Sequence, residues 1–582
     1  MSKELEIMEP SVKDGLVSEP KFLTGGQALM ECLVAENVNT IFGYPGGAIM
    51  PIYDALYDYT DRINHVLVRH EQGASHAAEG YARTSGKVGV CMATSGPGAT
   101  NLVTGIADAI IDCTPLVAIT GQVASNLLGT DAFQETDVIG ITTPICKWNY
   151  QITSADEIPL ILAKAFYIAM AGKPGPVLID ITKDAQVQQM TVPFAYRKID
   201  KLPGYHPRRT PKKEQVEKAA ELINSAKRPY ILVGHGVLIS EAMEEFREFV
   251  EKTDIPVAST LLGISAISID HPNYMGWLGM HGMYAPNVMT DQCDVLIAIG
   301  MRFDDRVTGD ASLFVKQARI VHIEIDPAEI DKIKKAEAPV VGDAKEVLKA
   351  LMPLVKKNDF TAWKNEFRKL EPKEKEAVSD RDLRQEGEIK MAEVVRMVSE
   401  KTKGEACVVV DVGQHQMVTA RYYQYRKHHS YIASGGLGTM GFAIPAALGA
   451  QMGAPDRQVV AFIGDGCFQM TIQELGTIAQ SKLPVKLIIL NNNYLGMVRQ
   501  WQQLFYEKRY SFVELQNPDF IMIGKGFGIE GKKISERQDL SQAIDNMLNY
   551  DGSYLLEVVV EKEENVFPMV PAGRSVSEIR LK

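Results

Sequence analysis

Short runs of Val, Ile and Leu recur along the chain, each ended by Gly or Asp. Longer stretches, with apolar residues spaced for one helical face, separate them. Such runs suit parallel strands buried on both faces, and their alternation with amphipathic helices predicts parallel sheets wrapped by helices. The predicted strands are 88–93, 116–119 and 177–181, then 230–233, 295–299 and 320–325, then 407–410, 459–463, 486–490 and 555–560. Two stretches interrupt the pattern. Residues 194–213 are rich in Pro and basic side chains and residues 356–390 are dominated by charge, so both read as linkers. The expected fold class is α/β, with a disordered lead-in at 1–21 and three doubly wound parallel-sheet domains at 22–193, 211–355 and 385–582. Ligands of such sheets bind beyond the carboxyl ends of the strands, so chemistry is expected just after each run.

Composition narrows the partners. The 582 residues carry 62 Lys and Arg against 73 Asp and Glu, and the net charge of −11 argues against nucleic acid. No apolar run approaches the roughly 18 residues of a membrane span. The N-terminus mixes acids, lysines and prolines, unlike a secretory signal. Seven scattered cysteines without a CxxC pair fit reduced thiols and a cytoplasmic protein.

The strongest chemical signal lies in the third block. The run VVAFI leads into Gly464-Asp465-Gly466, and the run KLIIL leads into Asn491-Asn492-Asn493. Asp465 and Asn492 would then stand at two strand ends. A carboxylate and an amide oxygen are hard ligands suited to Mg²⁺, with diphosphate oxygens completing the shell. Gly466 lets the backbone approach a phosphate, at the start of a helix that offers amide donors. Gly, Asp and Asn are also ordinary turn formers, and two unrelated turns remain the competing reading. Gly436 to Gly441 reads GLGTMG, a GxGxxG phrase with no acid at a strand end about 20 residues on, so taken alone it is weak evidence for a nicotinamide site. In the first block, Glu71 follows the apolar run HVLV and opens a helix; a charge at a helix start is its simplest reading.

The spacing from Asp465 to Asn492 resembles the diphosphate–Mg²⁺ motif of thiamine diphosphate (ThDP) enzymes. That resemblance implies Asp465, Asn492 and the backbone carbonyl of Tyr494 as metal ligands. It implies Met440, next to Gly438, as the side chain over which the cofactor folds. Glu71 becomes the carboxyl that serves the pyrimidine ring from a neighbouring subunit. Further segments extend the likeness over nearly the whole chain: GYPGG at 43–47, ATSGPGATN at 93–101, DAFQE at 131–135, LGMHG at 278–282, RFDDRVTG at 302–309, GQHQ at 413–416 and GMVRQW at 496–501. Together they resemble the large, catalytic subunit of the acetohydroxyacid synthase (acetolactate synthase) family.

What the resemblance implies is specific. The domains would be pyrimidine-binding, central FAD-binding and diphosphate-binding. Val412, Gly413, Gln414, His415, Gly466 and Cys467 would hold the ThDP diphosphate. Gly47 and Gln134 would stabilise oxyanions, Lys147 would stand near the substrate entrance, and Trp501 would shape the acceptor pocket. Lys147 as a solvated cation and Trp501 as an interface anchor stay open. FAD would meet Gly234, Gly236, His281, Arg302, Asp305 and Arg306, with Glu324, Ile325 and Asp343 at its adenosine end. Lys173 stands where the family has Arg, keeping the charge without the planar fork. The ending Pro571-Ala572-Gly573-Arg574 also departs from the family's apolar tail. The implied reaction decarboxylates pyruvate and joins its two-carbon remnant to pyruvate or 2-ketobutyrate, the first common step of branched-chain amino-acid biosynthesis. The implied assembly is a homodimer or tetramer, with a small regulatory subunit left open. Three other readings are a flavin-dependent pyruvate oxidase, an FAD-free catabolic acetolactate synthase and a non-catalytic scaffold. RFDDRVTG and Trp501 weigh against the first, the flavin set against the second, and Glu71, Asp465 and Asn492 against the third.

Overall fold

Three six-stranded sheets, with every strand parallel to its neighbours, frame the computed structural model. The structure describes residues 21–207 and 209–582; the lead-in expected at 1–21 lies, but for Lys21, outside the described residues. The fold is α/β with three sheets, as the hydrophobic runs predict. Each predicted strand is present, within three residues of its expected ends: Gly89–Ala93, Leu116–Gln122 and Pro176–Thr182 in the first sheet, Pro229–Val233, Val295–Ile299 and Arg319–Glu324 in the second, and Cys407–Val410, Val459–Gly464, Lys486–Asn491 and Tyr554–Val559 in the third.

Numbered within each sheet in chain order, the first and third sheets run 2-1-3-4-6-5, and the middle sheet runs 3-2-1-4-5-6. The middle order is that of dinucleotide-binding folds, whose ligands sit where the winding reverses. There the chain leaves Val233 and Ile299 side by side. In the third sheet the reversal falls between Cys407–Val410 and Val459–Gly464, which places residues 411–413 beside Asp465. In the first it falls between Thr40–Gly43 and Gly89–Ala93, beside residues 44–47 and 94–98.

Both faces of the first sheet are buried, and alternate residues serve different cores. Ile41, Val90, Met92 and Val117 pack outward with Leu29, Ile52 and Leu162. Phe42, Cys91, Ala93 and Ala118 pack inward, in a core shared with Val409, Ile463 and Leu487 of the third domain. Helices Glu71–Ser85 and Ala443–Gly453 form the seam between these two domains. Small residues make the approach possible. A Cβ on Gly80 would lie 2.8 Å from the carbonyl carbon of Ala446, and one on Gly449 would lie 2.6 Å from that of Ala77.

The second charged stretch is not a free spacer. It holds helix Thr361–Arg368, whose Trp363 and Phe367 are buried against Tyr230 of the middle domain. The Trp363 indole donates to Pro229 O at 2.8 Å. Two aromatic residues four apart give a one-sided apolar stripe that the surrounding charge hides from a composition reading.

Candidate active site

At the third sheet's reversal, Asp465 starts a short helix and is 1% exposed. Burial pushes its carboxyl up to about 6. Its Oδ2 accepts Asn517 Nδ2 at 2.6 Å, and Asn517 also donates to Asn491 Oδ1 at 3.0 Å. Asn492 leaves the adjacent strand, in which Leu490 pairs with Gly464. Its Oδ1 accepts Tyr494 N at 3.1 Å, which folds the turn back on itself. The structure thus brings the Asp465 and Asn492 strand ends together. A buried carboxylate with neutral oxygen donors close by fits a hard divalent cation.

Gly413 and Val412 border this site, and Cys467 Sγ donates to Val412 O at 3.2 Å. A Cβ on Gly466 would sit 2.8 Å from Leu495 and 4.0 Å from the Met440 methyl, so glycine keeps the floor beneath Met440 low. Asp411, which the sequence reading passed over, accepts Val412 N, Gly441 N and Ala443 N at 2.8, 3.0 and 2.9 Å. Burial pushes the His415 imidazole down to about 3, and its Nε2 accepts Gly464 N at 3.3 Å, so it pins the strand end, with its ring against Gly413. Gln414 donates to Gln500 Oε1 and Glu564 O, which joins the loop to the C-terminal segment.

One cavity of about 770 Å³ lies where all three domains meet. Its wall includes Lys173, Gly236, His281, Arg302, Asp305, Arg306, Glu324, Ile325 and Asp343, and also Val412, Gly413, Gly438, Met440 and Trp501. Gly234 lies behind it. A Cβ on Gly236 would stand 2.7 Å from Gly300 Cα, so two loops touch at the middle sheet's reversal only because both are glycine. The size falls in the usual range for small-molecule sites, roughly 300–1,000 Å³. The winding order and this glycine contact fit a dinucleotide such as FAD.

Polar groups along the wall are already partly engaged. Glu324 is 8% exposed and burial pushes it up to about 7; its Oε1 accepts Ile325 N and Asp326 N, which leaves Oε2 for a ligand hydroxyl. Asp343 caps helix Ala344–Leu351, accepting Lys345 N at 3.1 Å, and also accepts Ser240 Oγ at 2.7 Å. Burial pushes His281 down to about 4, and its Nδ1 lies 3.2 Å from Pro568 O. A carbonyl only accepts, so Nδ1 carries the proton and Nε2 is a free acceptor. Lys173 is held by Glu329 at 3.0 Å and Asp326 at 3.4 Å, so its ammonium ties the first domain to the middle one.

The first domain gathers a second group around residues 94–101. Glu71, 9% exposed, accepts Asn101 Nδ2 at 2.9 Å. A Cβ on Gly98 would lie 3.2 Å from Glu71 Oε1, and one on Gly46, beside Gly47, would lie 2.7 Å from Thr94 Oγ1. Gln134 has φ +62 and presses on Gly96, while Phe133 is 88% exposed. Thr94 and Asn101 are therefore site residues that the motif contained and the reading did not single out. Lys147 lies elsewhere. Its ammonium donates to the Ile168 and Ala171 carbonyls at the end of helix Ile158–Met170, and burial pushes it down to about 8.

Among the described residues, Glu71's hydrogen bond stays within its own domain. Glu71 and Arg83 stand twelve residues apart on one helix, about 18 Å at 1.5 Å per residue, and Arg83 is the one that borders the cavity. The two groups of site residues therefore sit at opposite ends of the domain seam in one chain.

Three family models match along the chain: the thiamine pyrophosphate enzyme N-terminal TPP binding domain at 23–141, the central domain at 216–351 and the C-terminal TPP binding domain at 411–558. The chain is 47% identical to the acetolactate synthase large subunit of Corynebacterium glutamicum, over 97% of this chain and 91% of that one. It is 45% identical to the acetolactate synthase isozyme 2 large subunit of Escherichia coli, over 96% and 100%. Against the acetolactate synthase large subunit of Lactococcus lactis the identity is 44%, over 96% of each chain.

Proposed function

Because the chain belongs to the acetolactate synthase large-subunit family of thiamine pyrophosphate enzymes, we propose that it joins two 2-ketoacids. Pyruvate loses CO₂, and its two-carbon remnant adds to a second pyruvate or to 2-ketobutyrate, giving 2-acetolactate or 2-aceto-2-hydroxybutyrate. The observation that carries this reading is the third sheet's reversal, where Asp465 and the Asn492 turn flank Gly413 and Met440. ThDP, when bound, supplies the electron sink that both halves of the reaction need.

The chain's own residues divide the work. Asp465, Asn492 and the Tyr494 carbonyl would hold Mg²⁺, and the Val412–Gly413 backbone would receive the diphosphate. Met440 would wedge under the cofactor, a task its flexible apolar side chain suits. Glu71 would hold the proton on the pyrimidine nitrogen. The Gly47 amide and Gln134 would meet oxyanions on the substrate. Trp501, on helix Gly496–Phe505 at the cavity wall, would bound the acceptor pocket. FAD would lie along Gly236, Arg302 and His281 with Glu324 at its ribose; the middle sheet's winding supports this. Neighbouring backbone engages Lys147 and His415, so each would act from a position fixed by those bonds.

A second copy completes the site. Glu71 sits at the far end of its helix from the cavity, and apolar side chains flanking both groups, such as Phe133, Met470 and Val498, stand exposed in one chain. The relatives' "large subunit" names support a smaller partner as well. The test is acetolactate formation from pyruvate with and without ThDP, Mg²⁺ and FAD, followed by competition with 2-ketobutyrate. Acetate appearing only with an added electron acceptor, and no acetolactate, would sink the reading.

A further inference from the structure

Met440 sits in a loop, residues 433–441, that belongs to the third domain but is gripped by the first domain of the same chain. Asp112 accepts Gly435 N at 2.8 Å on one carboxylate oxygen and Gly436 N at 2.7 Å on the other. Arg83 donates to Ala433 O at 2.7 Å and lies 3.6 Å from the same carboxylate. Asp108 accepts the Ser434 hydroxyl at 2.7 Å, and that oxygen accepts Thr439 N at 2.8 Å. On the other side of Met440, Gly441 N donates to Asp411 at 3.0 Å. Met440 is thus bracketed by two amides, one tied to a buried carboxylate directly and the other through a single hydroxyl. The loop has no room to sink: a Cβ on Gly436 would lie 2.9 Å from Asp112 Oδ1.

The chemistry of this clamp is specific. The two neighbouring backbone N–H groups each meet their own oxygen, and a carboxylate offers two oxygens where an asparagine offers one oxygen and an NH₂ donor. Asp108 and Asp112 are 0% and 2% exposed. Burial pushes both carboxyls up, and burying such ionisable groups is unfavourable compared with an apolar seam, so stability alone does not account for them. Fixing the backbone on either side of Met440 does, because that loop forms the cavity wall through Gly436, Gly438 and Met440.

We infer that Asp112, and Asp108 acting through Ser434, are positioning residues for ThDP in the third domain of their own chain. They set where Met440 stands. The inference rests on the ThDP reading of Met440. One active centre then draws on three domains: the third domain, the first domain of the same chain as its clamp, and the partner's first domain.

The test uses the full-length chain with Mg²⁺ and two variants. Ser434→Ala removes only the bridging hydroxyl, and Asp112→Asn gives one of the paired amides a donor instead of an acceptor. The readouts are the ThDP dissociation constant, the exchange rate of the thiazolium C2 proton at saturating ThDP, and the thermal midpoint. The expected result is a dissociation constant about tenfold higher in Ser434→Ala, and higher still in Asp112→Asn. C2 exchange should slow in both even when ThDP is saturating. If both variants bind ThDP and exchange C2 within twofold of the unsubstituted chain, the inference is wrong, and a lowered thermal midpoint with unchanged exchange overturns it equally. Failure of the unsubstituted chain to bind ThDP would instead overturn the reading beneath it.

Discussion

Replacing Gly449 by Ala sets two effects of opposite sign against each other. In an isolated helix the change gains about 1 kcal/mol, because glycine is the poorer helix former. In this structure the new methyl would stand 2.6 Å from the carbonyl carbon of Ala77 and 2.9 Å from its Cα. Those atoms are backbone of helix Glu71–Ser85, so no side chain can swing away. The helices would have to part, and overpacking of a tight contact typically destabilises by about 1–3 kcal/mol. Packing should win, because the clash lies on the most extensive helix–helix contact in the molecule. The assay is thermal unfolding of the Gly449→Ala apoprotein beside the unsubstituted chain, with ThDP affinity measured in parallel. The midpoint should fall, and ThDP affinity should fall too, because the displaced helix begins three residues after Met440. A midpoint that rises would mean that propensity outweighs contact and that the seam is looser than described.

Glu71→Gln should keep ThDP bound while lowering acetolactate formation roughly 10²–10⁴-fold, the usual worth of a positioned proton-transfer group; pyruvate consumption at the unsubstituted rate would remove Glu71 from the mechanism. Glu324 sets a pH dependence on the apoprotein. Its folded value of about 7 exceeds the roughly 4.3 of an unfolded chain, so between these values the folded state binds more proton and stability falls as pH rises. The contribution is on the order of 3 kcal/mol across that window, and Glu324→Gln should flatten the midpoint-versus-pH curve there by a matching amount. Trp363→Ala removes a buried ring and its bond to Pro229, so it should destabilise by about 3–5 kcal/mol, seen as a lowered denaturation midpoint. An unchanged midpoint would restore residues 356–390 to the status of a free linker.

Most interior strands are legible because burial on both faces demands an unbroken apolar run; Thr40–Gly43 and Val257–Ser259, interior but only four and three residues long, are too short to show one. Edge strands escape this rule: Trp148–Ile152, Tyr431–Ala433 and Glu530–Ile534 have one neighbour each, and the last is largely exposed. The Asp465–Asn492 pairing was legible for a related reason, since each residue directly follows such a run. Side chains that act on backbone were not. Asp112 reaches Gly436 across 324 positions, and no local pattern distinguishes it from a helix-end aspartate. The backbone partners of His415 and Lys147 are likewise not legible, because a ring nitrogen or an ammonium in a motif says nothing about which carbonyl or amide it meets.

The matching order of the first and third sheets supports the proposed two-chain site. Both sheets present a site at the same place, the reversal after their first strands. The seam joins them along helices Glu71–Ser85 and Ala443–Gly453, and the first domain's cavity contacts include Arg83, Asp112 and Lys173 but not Glu71. That end of the first domain is spent on clamping its own chain's loop. At its other end Arg69 is tied to Glu474 and Gln480 of the same chain's third domain, while the Glu71 carboxylate itself accepts Asn101 of its own domain. A two-fold axis that brings this end to a partner's third domain necessarily does the same in reverse. Two complete centres then arise from two half-sites per chain, and the clamp that holds Met440 stays in the chain that folds it.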